Sequence, residues 1–190
     1  MIDFVTDSNF PHVGGNIRHG DHNGITPALW QALVYRYSIN SMLDVGCGEG
    51  HASSFFHKIG VIAHGIDGLE LNIRRSVYPI AFHDLTLGPY VMPVDLVLSI
   101  EVAEHVEDKY VDHYIETLCN GNVVVMTHAL PQDDDGYHHV NCQYADYWVD
   151  KLSSRGYRLD YYNDFWKDLA RSERSDAFFA KTGLIFVRKD

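Results

Sequence analysis

The stretch between residues 42 and 56 constrains the fold of this chain more strongly than any other part of the sequence. Apolar residues flank Asp44 and lead into three glycines at alternate positions, Gly46, Gly48 and Gly50, after which the residues have helical character. Glycine has no Cβ, so the backbone of such a turn can approach a ligand closely. The N–H groups that open the following helix also point toward that ligand. The pattern therefore predicts a strand, a ligand-binding turn and a helix, in that order.

Short apolar runs alternate with helical patterns over the first two thirds of the chain. Near-continuous apolar strands are expected when helices cover both faces of a parallel sheet. Strands are predicted at residues 41–46, 61–67, 79–84, 94–100 and 122–127, and helices at about 26–38, 50–59, 69–77 and 108–119. Thr26 is predicted to cap the first helix, with Pro27 at its first position. The alternation favours a doubly wound, Rossmann-like α/β fold.

The last third of the chain departs from simple alternation. A helix is predicted from Asn141, as its N-cap, to Arg155. The elements that follow are a strand, a helical segment and a second strand, at residues 157–162, 163–182 and 183–188. The helical segment is rich in aromatic residues, which suit core packing, dimer contacts or a substrate pocket. Because the sequence contains no internal repeat and no linker, we expect one domain over residues 1–190.

Composition disfavours several classes of protein. The 190-residue chain carries 26 acidic and 15 basic residues, a formal net charge of −11, and such a surface repels polyphosphate and disfavours extended nucleic-acid binding. Its apolar runs are shorter than the roughly 18 residues that a membrane span needs. The N-terminus lacks the basic and apolar regions of a signal peptide. The scattered cysteines, Cys47, Cys119 and Cys142, predict a reducing, cytoplasmic location.

The order of these elements resembles the class I S-adenosylmethionine-dependent methyltransferases from about Ser41 to the C-terminus. The resemblance implies a seven-stranded, mostly parallel sheet that ends in an antiparallel hairpin, with helices on both faces. It also implies S-adenosyl-L-methionine as the cofactor. The segment from His138 to Asn141 is similar to one in small methyltransferases, and that likeness identifies no acceptor.

The resemblance assigns cofactor roles to residues at the carboxyl ends of the predicted strands, where open α/β sheets bind ligands. The glycine turn would hold the amino-acid end of the cofactor, Asp67 the ribose hydroxyls and Asp84 the adenine amino group. A carboxylate suits the ribose because it can accept both vicinal hydroxyl protons. Ser99 and Ile100 would face the cofactor and the substrate. The full predicted cofactor set is Asp44, Gly46, Cys47, Gly48, Gly50, Asp67, Gly68, Asp84, Leu85, Ser99 and Ile100.

A Rossmann dehydrogenase is the nearest competing class. Its fingerprint is G-x-G-x-x-G, whereas this chain has glycines at alternate positions from Gly46 to Gly50. The acidic residue before the glycines, Asp44, and the second acidic site at Asp84 also favour the methyltransferase.

Glu101, Glu104 and His105 follow the fourth predicted strand at spacings that one helical turn would present on a common face. Two carboxylates and an imidazole suit a divalent ion such as Mg²⁺ or Mn²⁺. The pattern is similar to the ExxEH-plus-His metal site of small-RNA 2′-O-methyltransferases and to the ExxEH of ubiquinone-pathway O-methyltransferases. Two further histidines, His138 and His139, follow the fifth strand. The predicted metal ligands are Glu101, Glu104, His105 and His139.

A metal-free interpretation of the same residues stays open. In many members of the superfamily a similar E-x-x-E-H lines the acceptor pocket or braces the next loop. His105 would then act as a general base, for which its ordinary pKa of roughly 6.5 is suited. The predicted catalytic residues are Glu101, His105, His138 and His139.

The N-terminal segment from His12 to Gly24 is rich in glycine, histidine and aspartate. Ahead of the first strand of such a fold, residues 1–25 are predicted to form a lid over the cofactor or substrate. A solvated leader is the alternative. Residues 133–135, three successive aspartates, are expected to form a solvated loop tip.

The expected reaction is direct, in-line transfer of the methyl group to a hydroxyl of a small molecule. Two other functions stay open at this level. One is a metal-dependent RNA or nucleotide 2′-O-methyltransferase, which the charge of −11 opposes. The other is a non-catalytic S-adenosylmethionine-binding protein.

Overall fold

A computed structural model describes residues 4–133 and 135–189. The strands are β1 (Phe4–Thr6), β2 (Gly15–Ile17), β3 (Ser41–Val45), β4 (Ile62–Asp67), β5 (Ala81–Phe82), β6 (Val94–Ser99), β7 (Gly121–Met126), β8 (Tyr157–Leu159) and β9 (Leu184–Arg188). The helices are α1 (Pro27–Tyr37), α2 (His51–Lys58), α3 (Glu70–Arg75), α4 (Val111–Leu118), α5 (Ala145–Ser153), α6 (Asn163–Glu173) and α7 (Phe178–Thr182).

Seven of these strands form one sheet in the order β5-β4-β3-β6-β7-β9-β8. The first five run parallel, and β9 is antiparallel to both β7 and β8. The predicted mostly parallel sheet with a terminal antiparallel hairpin is therefore confirmed. The strands β1 and β2 form a separate antiparallel hairpin, with Phe4 opposite Ile17.

Alternate residues of the central strands pack into two separate cores because side chains along a strand point to opposite faces. Met42 and Leu96 pack with residues of α1, α2 and α6 on one face. Leu43 and Val97 pack with residues of α4 and α5 on the other. Helices therefore cover both faces, as predicted, and the strands are apolar along their whole length for this reason.

The winding of the sheet reverses next to β3, which pairs with β4 on one side and with β6 on the other. At such a switch point the loops after adjacent strands turn in opposite directions and leave a crevice at the carboxyl edge. The glycine turn after β3 opens into this crevice.

Helix α1 begins where it was predicted to begin, but its N-terminus is capped by a residue distant in sequence. The side chain of Thr26 makes no capping hydrogen bond. Instead the carboxylate of Glu173, in α6, accepts from the N–H groups of Ala28 and Leu29 at 3.0 to 3.3 Å. A carboxylate at this end also favours the helix dipole. Thr26 is therefore the N-cap residue, as predicted, and the side chain that accepts from the first N–H groups is that of Glu173.

The predicted helix N-cap at Asn141 is wrong, since α5 begins only at Ala145. The N–H groups of Val140 and Asn141 both donate to the backbone carbonyl of Glu104 at 3.0 Å. These bonds hold the segment against the loop after β6 and delay the start of the helix.

Other predicted elements are shorter in the structure. Only Ala81–Phe82 of the predicted strand 79–84 pairs, at the edge of the sheet. The strand predicted at 157–162 ends at Leu159 because the side chain of Asp160 accepts from the N–H of Tyr162 and turns the chain. The predicted helix 69–77 is reduced to Glu70–Arg75, and a 3₁₀ turn replaces the first residues of the helix predicted at 108–119.

Among the residues that the structure describes, no helix has both the length and the apolar character needed to cross a bilayer.

Candidate active site

A cavity of about 450 Å³ lies at the carboxyl edge of the sheet, over the switch point. Its floor comprises the glycine turn after β3 and the ends of β4 and β6. The β1–β2 hairpin and the residues that follow it, up to Ile25, form the opposite wall. The cavity therefore lies where the carboxyl ends of parallel strands meet the N-terminal segment.

The glycine turn adopts a backbone conformation that disfavours residues with a Cβ. Gly46 and Gly48 have φ of +67° and +56°, a region that residues with a Cβ rarely occupy. A Cβ added at Gly46 would lie 2.4 Å from Val102 Cγ2, in the loop after β6. The N–H groups of Gly46 and Cys47 both donate to the carbonyl of Ile66. The turn is thus held tightly against β4.

Two carboxylates anchor this turn from below. Asp44 Oδ2 accepts from the N–H and the hydroxyl of Ser53 at 3.2 and 2.9 Å, which joins the end of β3 to α2. Burial raises the pKa of Asp44 to about 7. Asp67 Oδ2 accepts from the N–H of Gly48 at 2.8 Å, and burial raises the pKa of Asp67 to about 6.

Asp84 lies at the far end of the cavity, where Oδ2 contacts Nε2 of His12 at 3.0 Å. Burial acts to raise the pKa of Asp84, but hydrogen bonds from the N–H of Thr86 and from the His12 ring bring it below its ordinary value. The carboxylate is therefore ionised at neutral pH and already bonded to the N-terminal segment.

An acidic and histidine-rich cluster lies on the cavity wall after β6. One potential ligand atom each from Glu104, His105 and His139 lies within 4.8 Å of the other two. Glu101 is not part of this group, because its φ of +54° places it outside the short turn Ala103–His105. Its N–H donates to Thr127 Oγ1 at 2.8 Å. The predicted common helical face of Glu101 with Glu104 and His105 is therefore wrong, although Glu101 does line the cavity.

The protonation states of the cluster follow from burial. Glu104 is fully buried, and within the described residues its side-chain oxygens have no hydrogen-bond partner. Burial, and then the charge of Glu101, raises the pKa of Glu104 well above its ordinary value. Burial raises the pKa of Glu101 to about 7 and, together with the neighbouring His139, lowers the pKa of His105 to about 4. His105 is therefore neutral at pH 7.

Hydrogen bonds define which nitrogen of each imidazole is available. His105 Nδ1 lies 3.3 Å from the carbonyl of His138, and a carbonyl only accepts, so Nδ1 carries the proton and Nε2 presents a lone pair. Likewise His139 Nδ1 contacts the carbonyl of Asp133 and is the donor in that bond. Nε2 of His105 lies 4.0 Å from Glu104 Oε1. Two imidazoles and a buried carboxyl thus lie close together.

Because the folded pKa of Glu104 lies above its unfolded value of 4.5, its burial costs folding free energy once the pH exceeds 4.5. We expect the unfolding free energy of the wild type to fall, relative to that of Glu104→Gln, by up to roughly 1.4 kcal/mol per pH unit between pH 5 and pH 8. Urea unfolding at both pH values measures this difference. The matched control is Glu116→Gln, whose side chain is half exposed. Parallel pH profiles for the wild type and Glu104→Gln would contradict the prediction.

Comparison with known proteins identifies similar sequences and similar structures. No family model matches the chain. A 99-residue stretch is 31% identical to the ubiquinone biosynthesis O-methyltransferase of Caulobacter vibrioides, covering 46% of this chain and 36% of that protein. The match thus spans only about a third of the relative's length.

The overall structure is similar to that of a TehB-like S-adenosylmethionine-dependent methyltransferase from Corynebacterium glutamicum, with a TM-score of 0.63 and 19% identity over 95% of this chain and 93% of the other. The chain has the class I methyltransferase fold. A magnesium protoporphyrin IX methyltransferase from Synechocystis, solved with bound S-adenosylmethionine, has a TM-score of 0.59 and 14% identity over 86% of this chain and 79% of the other.

In this methyltransferase fold, nine of the residues predicted to bind the cofactor line the cavity: Asp44, Gly46, Cys47, Gly48, Asp67, Gly68, Asp84, Leu85 and Ile100. Two others do not. Ser99 is fully buried, donating to the carbonyl of Val45 and accepting from the hydroxyl of Tyr114. Gly50 lies behind the turn, next to Ile80 and Tyr78. The assignments of Ser99 and Gly50 to the cofactor wall are therefore corrected.

The predicted catalytic residues divide in the same way. Glu101, His105 and His139 line the cavity, whereas the side chain of His138 does not. With φ of +54°, His138 turns its carbonyl toward His105. Its contact with the cluster is made by the backbone, which corrects its predicted place in the cavity.

Sequence patterns missed several residues of the cavity. Asn16, of β2, and Asn72, of α3, line it, and Phe4, Tyr137 and Phe178 give it aromatic surface. Asn72 had no signal beyond its place five residues after Asp67, while Asn16 lies in the segment predicted as a lid. Of the aromatic residues in segment 163–182, Trp166 and Phe179 pack in the core and Phe178 lines the cavity.

Proposed function

We propose that the protein is an S-adenosylmethionine-dependent methyltransferase that methylates a hydroxyl of a small molecule. The observation that carries the proposal is one cavity lined by both the glycine turn and the neutral imidazole of His105. The similarity to an enzyme named for O-methylation supports the choice of a hydroxyl.

The glycine turn and Asp67 would hold S-adenosylmethionine, which would supply an electrophilic methyl group for in-line transfer to the acceptor oxygen. The C–O bond would form as the C–S bond breaks, and the product would be a neutral thioether. The proton of the acceptor hydroxyl would pass to Nε2 of His105. The hydrogen bond from Nδ1 of His105 to the carbonyl of His138 keeps the ring in the tautomer that leaves Nε2 unprotonated. Positioning of the two reacting atoms would supply most of the acceleration.

The N-terminal segment is proposed to act as a lid over this reaction. It crosses the cavity, and Gly14 lies so close to the His105 ring that an added Cβ would be 3.3 Å from Cγ. His12 reaches Asp84 at the opposite end. Of the predicted lid 1–25, residues 1–3 lie outside the described part of the chain. A lid of this kind would exclude water and commit the bound substrate.

Thermal unfolding with S-adenosylmethionine or S-adenosylhomocysteine tests the proposal first. At about one hundred times Kd, ligand binding should stabilise the native state by roughly 2.7 kcal/mol. For a chain of this size, that corresponds to a rise in Tm of about 5–10 °C. ATP and NAD⁺ at the same concentration serve as controls and should leave Tm unchanged. No rise with either sulfur-containing nucleoside would contradict the proposal.

A metal-assisted version, including RNA or nucleotide 2′-O-methylation, is a second candidate. The specific observation is the grouping of Glu104, His105 and His139, with two imidazoles beside a buried carboxyl. These donors suit Mn²⁺ or Mg²⁺, and a bound ion would lower the pKa of an acceptor hydroxyl. Repeating the thermal measurement with Mn²⁺ tests it. A further rise that Glu104→Ala abolishes favours this version, and methylation of an RNA oligonucleotide would be needed to extend it to RNA.

A non-catalytic cofactor-binding protein would show the same thermal shift without turnover. Incubation with methyl-labelled S-adenosylmethionine and a small-molecule extract separates the two. Labelled product that depends on the protein supports the enzyme, and its absence across extracts supports the binding protein.

A further inference from the structure

The carboxylate of Asp67 is nearly saturated with hydrogen bonds from the protein itself. Oδ1 accepts from the N–H of Leu69 at 2.8 Å and from Asn72 Nδ2 at 3.0 Å. Oδ2 accepts from the N–H of Gly48 at 2.8 Å. Since each carboxylate oxygen has about two acceptor positions, Asp67 retains one, on Oδ2. A vicinal diol offers two hydroxyl donors, so Asp67 alone cannot bind both.

A second acceptor, Asn16 Oδ1, is oriented by hydrogen bonds that link the side chains of Asp67, Asn72 and Asn16. Because Asp67 only accepts, Asn72 must direct its NH₂ group to Asp67 and its carbonyl oxygen to the other side. That oxygen accepts from Asn16 Nδ2 at 3.1 Å. The orientation of the Asn16 amide follows, with Nδ2 toward Asn72. Among the described residues, Asn16 Oδ1 has no hydrogen-bond donor.

Asn16 Oδ1 and Asp67 Oδ2 both lie next to Gly48. A Cβ added at Gly48 would be 2.9 Å from Asn16 Oδ1, while the N–H of the same residue donates to Asp67 Oδ2. All three residues line the cavity. Two acceptor positions therefore lie beside one glycine of the turn.

We propose that Asn16 recognises the ribose of the cofactor, with its Oδ1 accepting one hydroxyl of the diol while Asp67 Oδ2 accepts the other. The proposal rests on the proposed function, since it concerns the cofactor of that reaction. Asn72 is a positioning residue that acts through Asn16. The N-terminal hairpin would then contribute a recognition group to the cofactor site.

Isothermal titration of the full chain with S-adenosylhomocysteine and its 2′-deoxy and 3′-deoxy analogues tests this. We expect the wild type to bind each deoxy analogue about 3- to 10-fold more weakly, the value of one hydrogen bond. Asn16→Ala should bind S-adenosylhomocysteine more weakly by a similar factor. It should also lose the discrimination against one analogue, whose Kd stays at the wild-type value.

The matched control is Asn9→Ala, since Asn9 lies in the same hairpin and is exposed outside the cavity. It should match the wild type with all three ligands. Equal weakening of all three by Asn16→Ala would mean that Asn16 only holds the hairpin in place, and would overturn the proposal. Unchanged affinities would overturn it as well. If the wild type binds none of the three, the proposed function itself fails.

Discussion

Replacing His105 by alanine is expected to lower methyl transfer by about 10²- to 10⁴-fold, the usual contribution of a general base. Its Nε2 is the proposed proton acceptor, and the imidazole is neutral at pH 7 because burial and His139 lower its pKa to about 4. The glycine turn and Asp67 do not depend on His105, so Kd for S-adenosylhomocysteine should change by less than about threefold, below the value of one hydrogen bond.

The measurement is transfer of label from methyl-labelled S-adenosylmethionine to the acceptor found in the extract screen, with Kd determined in parallel. His64→Ala is the matched control, because His64 is exposed on β4 and lies outside the cavity. A large loss of cofactor affinity in His105→Ala would instead assign His105 a structural role, through its contact with Gly14. Full activity in the variant would remove it from the mechanism.

Replacing Asp67 by alanine is expected to weaken cofactor binding about 10- to 100-fold, because the ribose loses one hydrogen bond to a charged group and Asn72, which orients Asn16, loses its acceptor. The change leaves the N–H groups of Gly48 and Leu69 and the amide of Asn72 without their acceptor. Unpaired buried donors cost about 1–3 kcal/mol each, so the unfolding free energy should also fall by about 2–4 kcal/mol. The relief of a buried carboxyl, whose pKa is raised to about 6, offsets part of that loss.

The chain offers a close control in Asp95→Ala. Asp95 Oδ2 accepts from the N–H groups of Asn40 and Ser41 and from the Ser41 hydroxyl, at 2.9 to 3.1 Å. The Asp95→Ala variant therefore also loses three hydrogen bonds, but these lie at the amino ends of β3 and β6, away from the cavity. We expect Asp95→Ala to lower stability and to leave Kd unchanged. If both variants weaken binding equally, the effect of Asp67 is general destabilisation rather than a cofactor contact.

The sheet could be predicted because its signals are local. Each central strand is a short apolar run bounded by a turn, and the residues at its carboxyl end follow from the direction of the chain. The resemblance to class I methyltransferases singled out Asp44, Asp67 and Asp84 at such ends, and all three line the cavity. Sequence order and the geometry of parallel sheets agree with that assignment.

The same reasoning was less accurate at the end of β6, where a shift of one residue decides which side chain lines the cavity. Ser99 and Ile100 are adjacent, yet only Ile100 lines the cavity, since successive residues at the end of a strand point to opposite faces. Glu101 breaks the expected helical turn through a left-handed backbone. Neither the exact end of β6 nor that conformation is encoded in residue type.

By itself, the sequence determined the α/β class, the glycine turn and the position of the acidic and histidine-rich motif after β6. Only the tertiary structure decided which distant groups meet. Asn16 reaches Asn72 across 56 positions of the chain, and Glu173 caps α1 across 145. Patterns of apolar residues report the period of a local element. Contacts between distant side chains depend instead on how the elements pack, because packing alone brings such residues within hydrogen-bond distance.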